Sequence, residues 1–168
     1  MKKVLFIIGC LLFLGWNVTR FYMSEVQFEQ NCGGHLKRAA DANNVTLAKE
    51  ELRAALDYIE KEDLTEGYTS IFYRTPDEDL SFWYRNVKSA YENVARIDQD
   101  SIGDLEESNL LIKLRETLVD KGQSTTVTVP SGISVYPSNK LFAFWVSLSS
   151  LLMTVFGIWW FIDFTKNH

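Results

Sequence analysis

Val4 to Trp16 is an unbroken run of thirteen apolar or glycine residues. Val18, Phe21, Tyr22 and Met23 extend it past Asn17, Thr19 and Arg20. A second run, Leu141 to Phe164, is twenty-four residues long and carries one charge, Asp163. A helix rises about 1.5 Å per residue and the hydrocarbon core of a bilayer is about 30 Å thick. The pattern therefore predicts transmembrane helices over residues 4–23 and 140–164.

Between them the period becomes that of amphipathic helices. Asn44 or Thr46 can cap a helix running to about Lys61, with Ala48, Leu52, Ala55, Leu56 and Ile59 on one face. Thr75-Pro76-Asp77-Glu78 has the form of a capping box with proline at the first helical position. Leu80, Trp83 or Tyr84, Val87, Tyr91 and Val94 continue from it as a stripe. A third helix is predicted from Asp104 to Asp120, with Leu111, Leu114 and Leu118 on one face and Gly122 as its stop. Residues 24–42 read as helix that can prolong the first span, weakened by Gly33-Gly34 at about 1 kcal/mol per glycine. Thr125 to Val129 and Ile133 to Tyr136 are β-rich and flank Pro130-Ser131-Gly132, which predicts a hairpin near 125–136. The fold class expected is mainly α: two transmembrane helices flanking an extracytoplasmic helical bundle, with a small β-hairpin before the second span. Residues 28–61 could also form one tetratricopeptide-like helix pair, but a single such unit cannot bury its own faces.

Charge adds an orientation. The chain has 168 residues and a net charge of −5. Residues 24–139 hold twelve basic and twenty-one acidic side chains, a net −9, and the remainder carries +4. Lys2 and Lys3 precede the first span, so the positive-inside rule places residues 1–3 in the cytoplasm. Two spans return residues 165–168 to the same side and leave 24–139 outside. Lys140, on the outer flank of the second span, runs against that orientation. Three readings of the N-terminus compete: an uncleaved anchor, a cleaved signal and a lipoprotein signal. Trp16-Asn17-Val18-Thr19-Arg20 lacks the small residues that cleavage needs. Ile7-Ile8-Gly9-Cys10 resembles an acylation site but follows too short an apolar run. The anchor is favoured.

The acidic balance argues against a nucleic-acid partner. Two cysteines exclude a disulfide-stapled scaffold and a four-cysteine zinc site. Cys32-Gly33-Gly34-His35 could suggest a thiol nucleophile, but the only other histidine, His168, is expected across the membrane. Cys32 instead reads as a buried cysteine, or as an external thiol able to crosslink two copies. Asp98, Asp100 and Gly103 match three positions of a calcium loop, but Ile102 and Asn109 stand where two oxygen ligands are required. Asp77-Glu78-Asp79 is explained by helix capping. Asn44-Val45-Thr46 is a glycosylation sequon only in a eukaryotic lumen. No phosphate-binding loop, nucleophile elbow or zinc-protease signature is present, and no cofactor is expected.

Two features point to association. Tyr68, Phe72, Tyr73, Phe82, Trp83, Tyr84 and Tyr91 are seven of the twenty-three aromatics, gathered in residues 68–91. Three consecutive aromatics point around a helix, so one buried stripe cannot take them all. The first six are candidates for a partner-binding patch. In the second span Ala143, Ser147, Ser150, Thr154 and Gly157 recur at alternating spacings of four and three. That stripe can pack on the first span, near Gly9 and Gly15, or on a second copy. With three residues before the first span and four after the second, any function is expected in the outer domain, the membrane helices or a complex. The reading is a non-enzymatic membrane accessory or scaffold protein, of the bacterial inner membrane, with a membrane or extracytoplasmic protein partner and a possible homo-oligomer. The competing reading is a sensory or ligand-binding module that signals through a separate effector. A thiol enzyme centred on Cys32 is the third.

Overall fold

The computed structural model describes residues 2–72, 74–97, 103–119 and 126–166. They form α1 (Lys2–Phe28), a π turn (Glu29–Gly33), α2 (Gly34–Ala40), α3 (Val45–Lys61), α4 (Leu80–Ala95), α5 (Asp104–Leu118) and α6 (Asn139–Lys166). The architecture is mainly helical. The helix that begins with α1 and the helix α6 are both long and apolar enough to cross a membrane.

α1 and α6 run antiparallel along a seam of rings. Phe6 meets Phe156 at 5.1 Å, Phe13 meets Trp145 at 5.7 Å and Phe21 meets Phe142 at 6.2 Å between centroids. The more covered positions of α1 are Ile7, Cys10, Leu14, Asn17, Ser24 and Phe28, and those of α6 include Phe142, Ser149, Met153 and Phe156. Spacings of three and four keep one face toward the partner helix, as in a coiled coil.

Gly33-Gly34 does not break the first helix. The chain widens there into a single π turn, in which the Gly34 N–H donates to the Glu29 carbonyl. α2 continues to Ala40, so the long apolar helix runs directly into the helical bundle.

α2, α3, α4 and α5 form a helical bundle. Asn44 accepts from the Leu47 N–H at 2.8 Å and caps α3. Glu107 of α5 accepts from the Val45 N–H at 2.9 Å, placing a carboxylate at the same helix start, where the dipole favours it. Ala48, Leu52, Ala55, Leu56 and Ile59 are all buried. They meet Cys32 and Leu36, the α4 stripe of Leu80, Trp83, Val87 and Val94, and Leu114 and Leu118 of α5 in one core.

Two sequence expectations are corrected. The Thr75 hydroxyl does donate to the Glu78 carboxylate at 2.7 Å, but Pro76–Glu78 is only a 3₁₀ turn. α4 starts later because Asp79 is held extended by an antiparallel bridge to Tyr68. Asp79 itself caps α4, accepting from the Ser81 N–H at 2.9 Å. The predicted hairpin is the second correction: the described part of 125–136 contains no strand pair. Val127 bridges instead to Val119, and the Thr128 N–H donates to the Leu118 carbonyl at 2.9 Å, so the first β-rich run is tied to the end of α5. Gly132 then takes φ +73°, and Ile133–Val135 winds into a 3₁₀ turn with Ile133 buried in the core. β propensity is a preference for a pleated, half-buried surface, and here no partner strand supplies one. Thr125 and the stop signal Gly122 lie outside the described residues.

Candidate functional site

A cavity of about 800 Å³ lies where α1 and α6 meet the helical bundle. α1 contributes Leu14, Asn17, Val18, Phe21 and Glu25, and α6 contributes Asn139, Phe142, Ala143 and Val146. The loop before α4 adds Thr69, Ser70, Ile71, Phe72, Thr75 and Glu78, and Ser131, Gly132 and Val135 form another side. Its wall is mostly apolar and graded. The end between the helices is apolar apart from Asn17, and the end at the bundle adds hydroxyls and two carboxylates beside Ile71, Phe72 and Val135.

Hydrogen bonds hold that polar end in place. Asn139 is buried, and its Nδ2 donates to the Thr69 carbonyl. The Ser134 hydroxyl donates to Glu25 Oε1 at 2.6 Å, tying the 3₁₀ turn to α1. Tyr136 OH donates to the Glu66 carbonyl at 3.0 Å. Hydrogen bonds from Thr75, and then from Ser70, hold the Glu78 carboxyl below its ordinary range. Thr69 is 4% exposed and its hydroxyl oxygen has no partner among the described residues. Such an orphaned buried group costs about 1–3 kcal/mol. The cavity lining includes two carboxylates and no lysine, arginine or histidine.

The predicted aromatic patch is divided rather than assembled. Trp83 is a core residue whose Nε1–H donates to the Thr128 carbonyl at 3.0 Å. Tyr84 OH donates to Glu60 at 2.7 Å. Tyr68 lies under the Arg74 guanidinium, 5.5 Å from the ring centre. Phe72 is 87% exposed at the large cavity, and Phe82 is 55% exposed at a second groove of about 470 Å³. That groove runs between the start of α4 and the end of α5, with Pro76, Val129 and Pro130 along it. Tyr73 lies outside the described residues.

Cys32 is fully buried, and burial, with Glu29 nearby, pushes its thiol up to about 12. The neighbouring polar groups form a clamp: His35 Nδ1–H donates to Glu51 Oε2 at 2.6 Å, and Arg38 reaches Glu51 Oε1 at 2.5 Å. This joins α2 to α3. Among the described residues no three His, Cys, Asp or Glu side chains gather as metal ligands. The calcium-like positions 98–102 lie outside them.

In α6, Ser147, Ser150, Thr154 and Gly157 are exposed, while Ala143 is partly covered at the large cavity. The face turned to α1 is instead Phe142, Ser149, Met153 and Phe156. Gly9 and Gly15 also stand clear of other atoms. Sequence reading missed Asn17, Glu25, Thr69, Glu78 and Asn139 as cavity residues. One signal was available: Asn17 is a polar residue at a covered position of an otherwise apolar heptad. Comparison of the chain with family models, with curated proteins and with solved structures finds no match.

Proposed function

We propose that this chain is a non-enzymatic integral membrane accessory protein of the bacterial inner membrane, with both termini cytoplasmic. Residues 24–139 lie outside and bind a protein partner. The observation that carries this reading is Phe82, more than half exposed above the α4–α5 groove. Aromatic side chains beside preformed apolar grooves are typical binding anchors. The continuous α1–α2 helix and the Glu51 clamp hold that groove to the membrane segment, as a scaffold requires. A photoreactive residue in place of Phe82, and a control in place of exposed Lys49, tests the assignment in native membranes. One discrete adduct from position 82 and none from position 49 is expected. Identical patterns from both positions, or none from 82, would overturn it.

The ligand-sensing alternative is favoured by one observation, the graded 800 Å³ cavity. A small-molecule thermal-shift screen on the full chain separates the two. Strong stabilisation by a soluble ligand, without adducts at position 82, selects the sensor.

A further inference from the structure

The cavity between α1 and α6 has a shape and polarity that a soluble partner does not need. We propose that it holds one lipid of the surrounding bilayer with a primary-ammonium headgroup. The acyl chain would lie against Leu14, Val18, Phe21, Phe142 and Val146, and the ammonium would sit at Glu25 and Glu78.

Two observations carry the proposal. The first is the gradient: mostly apolar side chains of the two long helices line one end, and polar side chains from the segments around the helical bundle are added at the other. If the two helices span a bilayer, this gradient coincides with the passage from acyl chains to headgroups. The second is charge. Glu25 and Glu78 both line the polar end, and neither has an ion pair among the described residues. With no basic side chain in the lining, an anionic headgroup would meet only carboxylates. An ammonium group brings three donors and a positive charge, which complements two carboxylates. The exposed Ile71 and Phe72 at the rim extend the apolar wall toward where lipid would enter.

The inference rests on the membrane assignment of α1 and α6, and the experiment reads the two separately. The full chain is reconstituted into lipid vesicles, washed at alkaline pH and floated on a density gradient. It is then released from nanodiscs containing equal amounts of phosphatidylethanolamine and phosphatidylglycerol, and the retained lipid is identified by native mass spectrometry. One retained lipid per chain is expected, enriched in phosphatidylethanolamine by about tenfold, the factor supplied by one good charge-assisted hydrogen bond. Glu25→Gln with Glu78→Gln keeps the hydrogen-bonding shape, so it should retain a lipid but bring the ratio close to one. Ala143→Trp should fill the cavity and lose the lipid, with helicity by circular dichroism unchanged. A chain that floats but retains both lipids alike, or whose bound lipid survives Ala143→Trp, overturns the cavity proposal. So does displacement of the lipid by a tightly held peptide. A chain that fails to float overturns the membrane assignment, and the proposal with it.

Discussion

Glu51 is a carboxylate with only 6% of its surface in water, held by two side chains that themselves reach solvent. This asymmetry decides what each deletion costs. Removing the acid leaves His35 and Arg38 free to hydrate, whereas removing both bases strands a buried charge, the more expensive error. Glu51→Gln is therefore expected to cost about 1–2 kcal/mol, and His35→Ala with Arg38→Ala about 3 kcal/mol or more. Chemical denaturation of the three proteins in detergent checks the order, and a larger loss from Glu51→Gln would reject it. Cys32 offers a second test at the same scale. Its thiol is raised above the ordinary 9.0 toward about 12, so the folded chain keeps the proton after the unfolded chain has lost it. The stability this contributes is complete below pH 9 and falls by about 1.4 kcal/mol per pH unit as pH climbs toward 12. Cys32→Ala should flatten that alkaline decline relative to wild type, and iodoacetamide should reach Cys32 only on unfolding. Ready alkylation in the native state would show a reactive thiol and revive the crosslinking reading.

At the scale of elements, the two glycines beside Cys32 separate what periodicity can show from what it cannot. α3 was legible because its cap and stripe are local: Asn44 and the run from Ala48 to Ile59 specify helix within one segment. Gly33-Gly34 looked like a weak point, since low helix propensity is all that a sequence displays there. The structure gives the pair different roles. A Cβ on Gly34 would lie 2.8 Å from the Glu29 carbonyl oxygen, the acceptor of the π turn, so backbone would have to move. A Cβ on Gly33 would meet chiefly the Glu29 side chain, which can turn away. Gly34→Ala should therefore destabilise by about 1–3 kcal/mol, while Gly33→Ala should be neutral or stabilising by up to about 1 kcal/mol. Thermal unfolding followed at 222 nm reads both, and equal effects would mean the π turn imposes no constraint. The hairpin failed for the opposite reason. Thr126 to Val129 and Ile133 to Tyr136 have strand-like composition, but neither pairs with the other: the first is tied to Leu118 and Val119 at the end of α5, and the second packs on α1, more than a hundred residues away in the chain. The large cavity was illegible on the same ground, because Asn17, Thr69, Gly132 and Asn139 come from four separated segments.

For the whole molecule, charge and apolarity are arranged in layers: +4 on the two long apolar segments and their flanks, −9 on the domain between them. The orientation proposed above rests on the basic residues beside those segments, since acidic residues weigh little in setting topology. Lys2 and Lys3 stand before the first and Lys166 after the second, against Arg20 and Lys140 on the flanks that face the domain. The bias is small, so a direct measurement is decisive. The native thiols make it simple: Cys32 is buried, and Cys10 lies within the first apolar helix. Lys49→Cys, on an exposed face of α3, should react with a membrane-impermeant maleimide in intact cells. Lys166→Cys, at the end of α6, should react only after the membrane is permeabilised. The reverse pattern would invert the topology and place the Phe82 groove and the acidic domain in the cytoplasm. Reaction of both positions in intact cells would mean that α6 does not cross the bilayer, which removes the bilayer from the cavity's mouth.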